Sequence, residues 1–386
     1  MKLIYFHTYG GDMNNGINKK IVAQASHLHT SGMDTSLVLL GGLNKQYPDT
    51  DFIRYIKPPD NFFSRSTLFM RLYRQYLAKC YVKEVIRLSG TDTTLYVRYP
   101  LPILVLPHDI ASWRKCKVVY ECNAIEIQEE KQSGSWFSYF REVLFGVGFR
   151  NHCDAIVGVT DEITRYEVQR SGNPDKPHMT LGNGFDVDSV PVRQPPPGSR
   201  TDVTILCVAT VSYWHGIDRL IQGIAQYKGP VNVRLHIAGT GPELSNLKKL
   251  AQDREIEDRV IFHGFTTGHD LDILYNQCHI AAGSLGMHRK GLTMTSELKS
   301  REYCARGIPF IIASGDSDFP AGFPTILKLP SGESPIDMDQ VILFASGISL
   351  DMDHAQKMRQ YARENLDWSV KMKKLKVFLE SLPSAA

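Results

Sequence analysis

The sequence predicts a parallel α/β fold in two doubly wound domains, and three observations predict it. Short runs rich in Val, Ile and Leu recur along the chain, separated by helical stretches long enough for crossover connections. A proline-rich segment, VPVRQPPPGSR at 190–200, interrupts that alternation, because Pro195, Pro196 and Pro197 exclude both helix and central strand. At 386 residues the chain is long enough for two domains, each burying its own core. The expected domains are 1–190 and 200–365, followed by a crossing helix over 366–386.

In order, strands are expected at 2–6, 36–40, 95–97, 118–121, 155–159 and 178–181, with helices between them. After the proline segment come 204–208, 233–238, 260–263 and 310–312. Gly239 and Gly241 supply a tight turn after the 233–238 strand, and Pro242 suits the start of the next helix. From Trp368, WSVKMKKLKVFLESL is amphipathic and is expected to bury its apolar face on the first half.

Hydrophobic content of 42% and charged content of 22% are those of a globular protein, and a net charge of +3 gives no reason to invoke nucleic acid. No run of about 20 apolar residues is present, so no membrane-spanning helix is expected. No charged, apolar and small-residue leader precedes the first strand, and no export signal is read. Seven cysteines without a CxxC pair are read as small buried hydrophobes in a reducing cytoplasm, and a zinc site is not expected.

Residues 292–312, LTMTSELKSREYCARGIPFII, concentrate the chemistry. Thr295 or Ser296 is the expected N-cap of a helix of about three turns, Gly307 falls where a left-handed C-cap belongs, and Pro309 stops the helix before a strand. Glu297 and Arg301 are four residues apart, and Lys299 and Glu302 three, so opposite charges line neighbouring faces. A solvated surface helix explains the same charges. In open parallel sheets ligands bind beyond the carboxyl ends of the strands, and this helix is expected to point its amino end there. Its free amides suit a phosphate, with Lys299, Lys290, Arg289 and His288 as counter-charges. Gly10, Gly11, Asn14, Asn15 and Gly16 follow the first strand in a second candidate loop, where glycine permits close backbone approach. A plain turn is the alternative. Neither a dinucleotide fingerprint nor a Walker loop is present.

Together these segments resemble the retaining glycosyltransferases of the GT-B fold, specifically the large fourth sequence family that includes bacterial polysaccharide and lipopolysaccharide transferases. The landmarks are the early glycine loop, DAIVGVTDEI at 154–163, LGNGFDVD at 181–188, CVATVSYWHGIDRLI at 207–221, IAGTGPEL at 237–244, RVIFHGF at 259–265 and SREYCARGIPFI ending at Ile312. The resemblance implies two Rossmann-like domains facing a central cleft. The first would bind the acceptor and the second the nucleotide sugar, with the C-terminal helix crossing back.

It further implies that the base lies near the loop after RVIFHGF, at Phe265, the diphosphate near a basic pair, and the ribose hydroxyls on a helical carboxylate. Glu302 fits the last role, since a carboxylate accepts two hydroxyl hydrogen bonds at once; a surface salt bridge is the alternative. The family's other glutamate, eight positions earlier, falls on Met294, and Glu297 is the nearest substitute. The basic pair falls on Thr210 and His215. His215 can donate to a phosphate oxygen or serve as a core histidine. Arg289 and Lys290 are then expected to supply the missing positive charge. The implied donor site is Gly11, Gly16, His215, Gly241, Phe265, Arg289, Lys290, Ser296, Lys299 and Glu302. Glu121 and Asn123, in YECNAIEIQEEK, are assigned to catalysis together with His215 and Glu297. Arg98 and Glu126 are assigned to the acceptor, and a structural ion pair explains Arg98 equally. No carboxylate stands out as an obligatory base, which suits front-face retention with the leaving phosphate taking the acceptor's proton.

From Lys57 to Arg87 seven lysines and arginines accompany two acidic residues and several aromatics, a mixture that suits either an anionic membrane surface or a helix covering the sheet. The aromatic run Trp136, Phe137, Tyr139, Phe140, Phe145 and Phe149 has the same two readings. The expectation is a cytoplasmic, metal-independent retaining glycosyltransferase of the hexosyltransferase class, peripheral on the inner face of the plasma membrane. It would use a UDP or GDP sugar and a saccharide acceptor, lipid-linked, in capsule, lipopolysaccharide or exopolysaccharide synthesis. A nucleotide-sugar epimerase of the same fold and an inactive sugar-nucleotide-binding protein are the alternatives.

Overall fold

The computed structural model describes residues 1–10, 16–40, 50–56, 70–98, 115–132, 136–196, 201–348 and 352–383. Gly11 and residues 57–69 of the basic segment lie outside these. The chain forms two units, one of Met1–Gly182 with Trp368–Ala386 and one of Asn183–Asp367.

Unit 1 is built on β1 (Lys2–Gly10), β2 (Asp34–Leu40), β3 (Ile53–Ile56), β4 (Thr93–Arg98), β5 (Lys117–Cys122), β6 (Ala155–Gly158) and β7 (His178–Thr180). They form one parallel sheet in the order β3-β2-β1-β4-β5-β6-β7. All six expected strands are present with shifted ends. β3 was not anticipated, since it is a short edge strand carrying an exposed Arg54. β4 is buried along its whole length, as befits a parallel sheet covered on both faces. The helices are α1 (Gly16–Thr30), α2 (Met70–Leu88), α3 (Glu126–Gln132), α4 (Trp136–His152) and α5 (Asp161–Arg170). Right-handed connections put α1, which leads from β1 to β2, on one face of the sheet. They put α2 to α5, which lead the other way along it, on the opposite face.

Unit 2 contains β8 (Asp202–Val208), β9 (Asn232–Ala238), β10 (Val260–Gly264), β11 (Ile280–Ala282), β12 (Phe310–Ile312) and β13 (Ile326–Lys328), parallel in the order β10-β9-β8-β11-β12-β13. β11 and β13 were not expected. Both are short, β11 being Ile-Ala-Ala with only one β-branched residue and β13 a partly exposed edge strand. Its helices are α6 (Ile217–Gln226), α7 (Leu244–Asp253), α8 (Gly268–Gln277), α9 (Leu298–Arg306), α10 (Met338–Gly347) and α11 (Met352–Asn365). Ile205, Cys207, Leu220, Ile224, Val233, Leu235 and Ile237 are fully buried in its core. Unit 2 begins ahead of the proline-rich segment because the chain there is already bonded to it. The Asn183 amide donates to Ser296 Oγ at 2.7 Å, the Phe185 amide to the Leu366 carbonyl at 2.9 Å, and buried Arg193 donates to the carbonyls of Cys278, His279 and Gly307.

The last helix, α12 (Trp368–Ser381), belongs to unit 1, where it packs on α1. Trp368, Met372, Leu375 and Leu379 are buried, and Lys376 Nζ donates to the Ser31 carbonyl at 2.7 Å.

α9 departs from expectation at its start. The capping position is Glu297, not Thr295 or Ser296, and the helix has nine residues, two and a half turns. Ser296 is occupied elsewhere, because its hydroxyl and carbonyl both accept from Asn183. Gly307 does close the helix in the left-handed conformation, at φ 74°. The reading as a solvated helix fails, since Arg301 is fully buried with its guanidinium on Asp316 and Asp318. Arg301 therefore meets Glu297 only at its backbone carbonyl, at 3.3 Å, and Glu302 pairs with Arg306 instead of Lys299.

Candidate functional site

In unit 2 the loop after β11 is bonded to the amino end of α9 through Ser284 and Glu297, and to the loop after β8 through the Leu285 amide and the His215 carbonyl. The turn after β9 lies against the loop after β8, where the Val211 amide donates to the Thr240 carbonyl at 2.9 Å. A Cβ on Gly241 would fall 2.2 Å from the Val211 carbonyl oxygen, so glycine is required for this approach. Gly216, at φ 63°, does the same against the backbone of Leu285 and Gly286.

His215 sits between these loops. Its Nδ1 accepts from the Ser212 amide at 3.1 Å, which leaves the ring proton on Nε2. Burial, then the charges of Lys299 and Lys290, hold the imidazole well below its ordinary pKa, so the ring is neutral and Nε2–H is a donor. At the start of α9 both carboxylate oxygens of Glu297 accept from the Ser284 amide, at 3.1 and 3.0 Å, with Lys299 Nζ 3.7 Å away. Among the described residues Lys299 Nζ has no hydrogen-bond partner, although it is buried. Met294 lies over Gly315, so its backbone position does not bring a side chain to this point.

Lys299 and Glu302 thus sit in the first two turns of α9, Ser296 just ahead of its cap, and His215 close enough to Lys299 to feel its charge. Glu302 is partly exposed and accepts from Arg306 Nε at 2.9 Å, while Arg306 also reaches Asp272. Phe265 is 69% exposed at the end of β10. The basic loop is arranged differently from the expected counter-charge. Arg289 is bonded to Asp218, to Glu333 and to the Tyr213 carbonyl, so its charge is already met by two carboxylates. Glu333 is held down to about 2 by hydrogen bonds from Arg289 and His288. Lys290 Nζ lies 4.5 Å above the Trp214 ring. Glu333, Asp218 and Tyr213 lie 44, 71 and 76 residues from Arg289 in sequence, and no local signal marks them.

Unit 1 gathers a second polar cluster at the ends of β4 and β5, beside Tyr5 of β1 and Lys20 of α1. Glu121 Oε1 is 2.9 Å from Lys20 Nζ and 3.8 Å from Arg98 Nη1, Oε2 accepts from the Tyr5 hydroxyl at 2.5 Å, and Lys20 also donates to Asn123 Oδ1 at 2.5 Å. Burial alone pushes the Glu121 carboxyl up, but Lys20 and Arg98 outweigh it and bring it to about 2. Burial also lowers Lys20, to about 8 against the pull of Glu121. Arg98, Glu121 and Asn123 therefore come together, and Lys20 joins them unforeseen. Glu126 does not; it is buried where burial and Glu129, Glu167 and Glu142 push its carboxyl well up. Gly16 opens α1 with open space around its Cα. Among the described residues no group of three His, Cys, Asp or Glu side chains is placed to hold a metal ion, and no helix is long and apolar enough to cross a membrane.

Residues 192–314 match the family model described as glycosyl transferases group 1. A stretch of 110 residues, 28% of this chain, is 31% identical to the alpha-monoglucosyldiacylglycerol synthase of Streptococcus pneumoniae, and that match spans only a quarter of the relative's length. Among solved structures, sucrose-phosphate synthase from Thermosynechococcus elongatus superposes with a TM-score of 0.67 over 100% of this chain and 99% of its own, at 14% identity. Anabaena HepE in complex with UDP gives 0.64 over 99% and 100%, also at 14% identity. Likeness at that identity speaks for the fold. The stretch that carries β8 to β12 thus matches a glycosyl transferases group 1 domain, and the two parallel-sheet units have the GT-B fold of its structural neighbours.

Proposed function

We propose that this protein is a retaining, metal-independent glycosyltransferase that moves a sugar from a nucleoside-diphosphate donor to a saccharide acceptor carried on a lipid, at the cytoplasmic face of the membrane. One observation carries the reading. The His215 Nε2–H donor, the Lys299 ammonium and the amino end of α9 converge within the residues that match the group 1 model. UDP is the preferred nucleotide because a neighbour of the same fold is a complex with UDP, and the printed activity of the pneumococcal relative favours a lipid acceptor.

In this reading the diphosphate rests on the first amides of α9. Negative charge grows there as the bond from the anomeric carbon to phosphate oxygen breaks, and the helix dipole, Lys299 and the neutral His215 donor oppose it without reorganising. Glu302 takes the ribose hydroxyls. Glu297 fixes the Ser284 loop and steadies Lys299. In unit 1 the Glu121 cluster positions the acceptor, whose hydroxyl proton passes to the departing phosphate.

Incubation with labelled UDP-sugars and a lipid-linked saccharide, in the presence of EDTA, is expected to yield a glycosylated acceptor with the donor's anomeric configuration. Conversion of the donor alone would favour an epimerase. Glu302→Ala is expected to weaken UDP-sugar binding by about tenfold or more, roughly 1.4 kcal/mol, by titration calorimetry. Unchanged affinity in the folded variant removes the ribose assignment.

A further inference from the structure

α4 is built inside out. Its charged residues Arg141, Glu142 and Arg150 are buried, and Glu142 and Arg150 pair beneath the helix with Glu167 and Arg170 of α5. Its outward face holds Trp136, Phe137, Phe140, Val143, Leu144 and Val147, with exposures from 43% for Val143 to 81% for Phe137. The spacing of i, i+1, i+4, i+7, i+8 and i+11 makes one continuous stripe, about 16 Å long at 1.5 Å per residue. A helix that merely covers a sheet turns such a stripe inward. Here the ionic side faces the protein and the apolar side faces solvent, an arrangement that a contiguous exposed patch of this kind reserves for a partner.

We propose that this face of α4 rests on a lipid bilayer with an anionic surface. Three observations choose lipid over protein. The stripe offers no hydrogen-bonding group except the Trp136 indole, whereas protein interfaces carry about one hydrogen bond per 100–200 Å². Its composition, aromatic at the amino end with Trp136 and Phe140 rings 6.2 Å apart and aliphatic beyond, is that of helices lying in the headgroup region. The charge also fits. α2 lies on the same face of the sheet; its sequence carries Arg71, Arg74, Lys79, Lys83 and Arg87 against one acid, Glu84, which Arg87 holds at 2.6 Å, and Lys83 is exposed. A basic helix beside an apolar one matches an anionic surface.

The inference is independent of sugar transfer, because vesicle binding needs no donor. The full chain is mixed with vesicles of phosphatidylcholine and phosphatidylglycerol, or of phosphatidylcholine alone, and sedimented. It is expected to co-sediment with the anionic vesicles, less with the neutral ones, and less at raised salt. Phe137→Ser with Leu144→Ser should lower partitioning by about tenfold or more. The melting temperature should not change, since both side chains stand outside the core. Failure of the parent chain to bind, equal binding by the double variant, or a parent dimer that the double variant converts to monomer without any vesicle binding would each overturn the proposal.

Discussion

Glu121 and Glu297 are both carboxylates withdrawn from water, and they are stabilised by opposite means. Glu297 leans on a backbone amide, whereas Glu121 depends on two cations that are themselves buried. The Glu121 carboxyl titrates near 2, below its ordinary 4.5, so its contribution is complete above about pH 4.5 and disappears as pH falls toward 2. That shift corresponds to about 3 kcal/mol. Glu121→Gln is therefore expected to lower the urea unfolding free energy by about 3 kcal/mol at pH 7, with the gap closing between about pH 4.5 and about pH 2. A gap that stays constant to pH 3 would assign the stabilisation elsewhere. Lys20 was legible only indirectly. It and Gln24 are polar positions four apart on a helix face otherwise made of Ile21, Ala25 and Leu28, and nothing local names their partner. The spacing set Lys299 against Glu302, but Arg306, one turn further along α9, takes Glu302 at 2.9 Å, and Lys299 lies by Glu297 instead. Arg289 was misread because Asp218 and Glu333, distant in the chain, absorb the charge it was expected to offer.

At the scale of elements, strands such as β4, β5 and β8 were legible because a parallel sheet buries both faces and leaves continuous apolar runs. β3, β11 and β13 were not, being short and in two cases at sheet edges. The end of α9 was legible and its beginning was not. A left-handed glycine before Ile-Pro is a local demand, whereas the displaced cap follows from the grip of Asn183 on Ser296 across 113 residues. Gly307→Ala tests the local demand. A Cβ there would meet Ala355 Cα at 2.5 Å on a backbone that disfavours side chains, so unfolding free energy should fall by about 1 to 3 kcal/mol. An unchanged urea midpoint would mean that α9 and α11 separate freely.

At the scale of the molecule, the repetition of strand and helix announced two units, but not where the chain passes between them. The proline-rich stretch looked like the passage, yet Arg193 is buried on three carbonyls of unit 2. Unit 1 is completed by α12, which inserts four apolar side chains against it. Deleting residues 368–386 forfeits roughly 6–12 kcal/mol of apolar burial, comparable to the whole stability of a domain. The truncated protein is expected to lose the cooperative unfolding of unit 1 in calorimetry while that of unit 2 remains. That discontinuity also orders events at the ribosome. Unit 2 is one unbroken stretch whose entry and exit are clasped together, the Phe185 amide on the Leu366 carbonyl, so it can finish folding as soon as it emerges. Unit 1 begins first and is completed last, α1 waiting while the whole of unit 2 is made for the cover that α12 supplies.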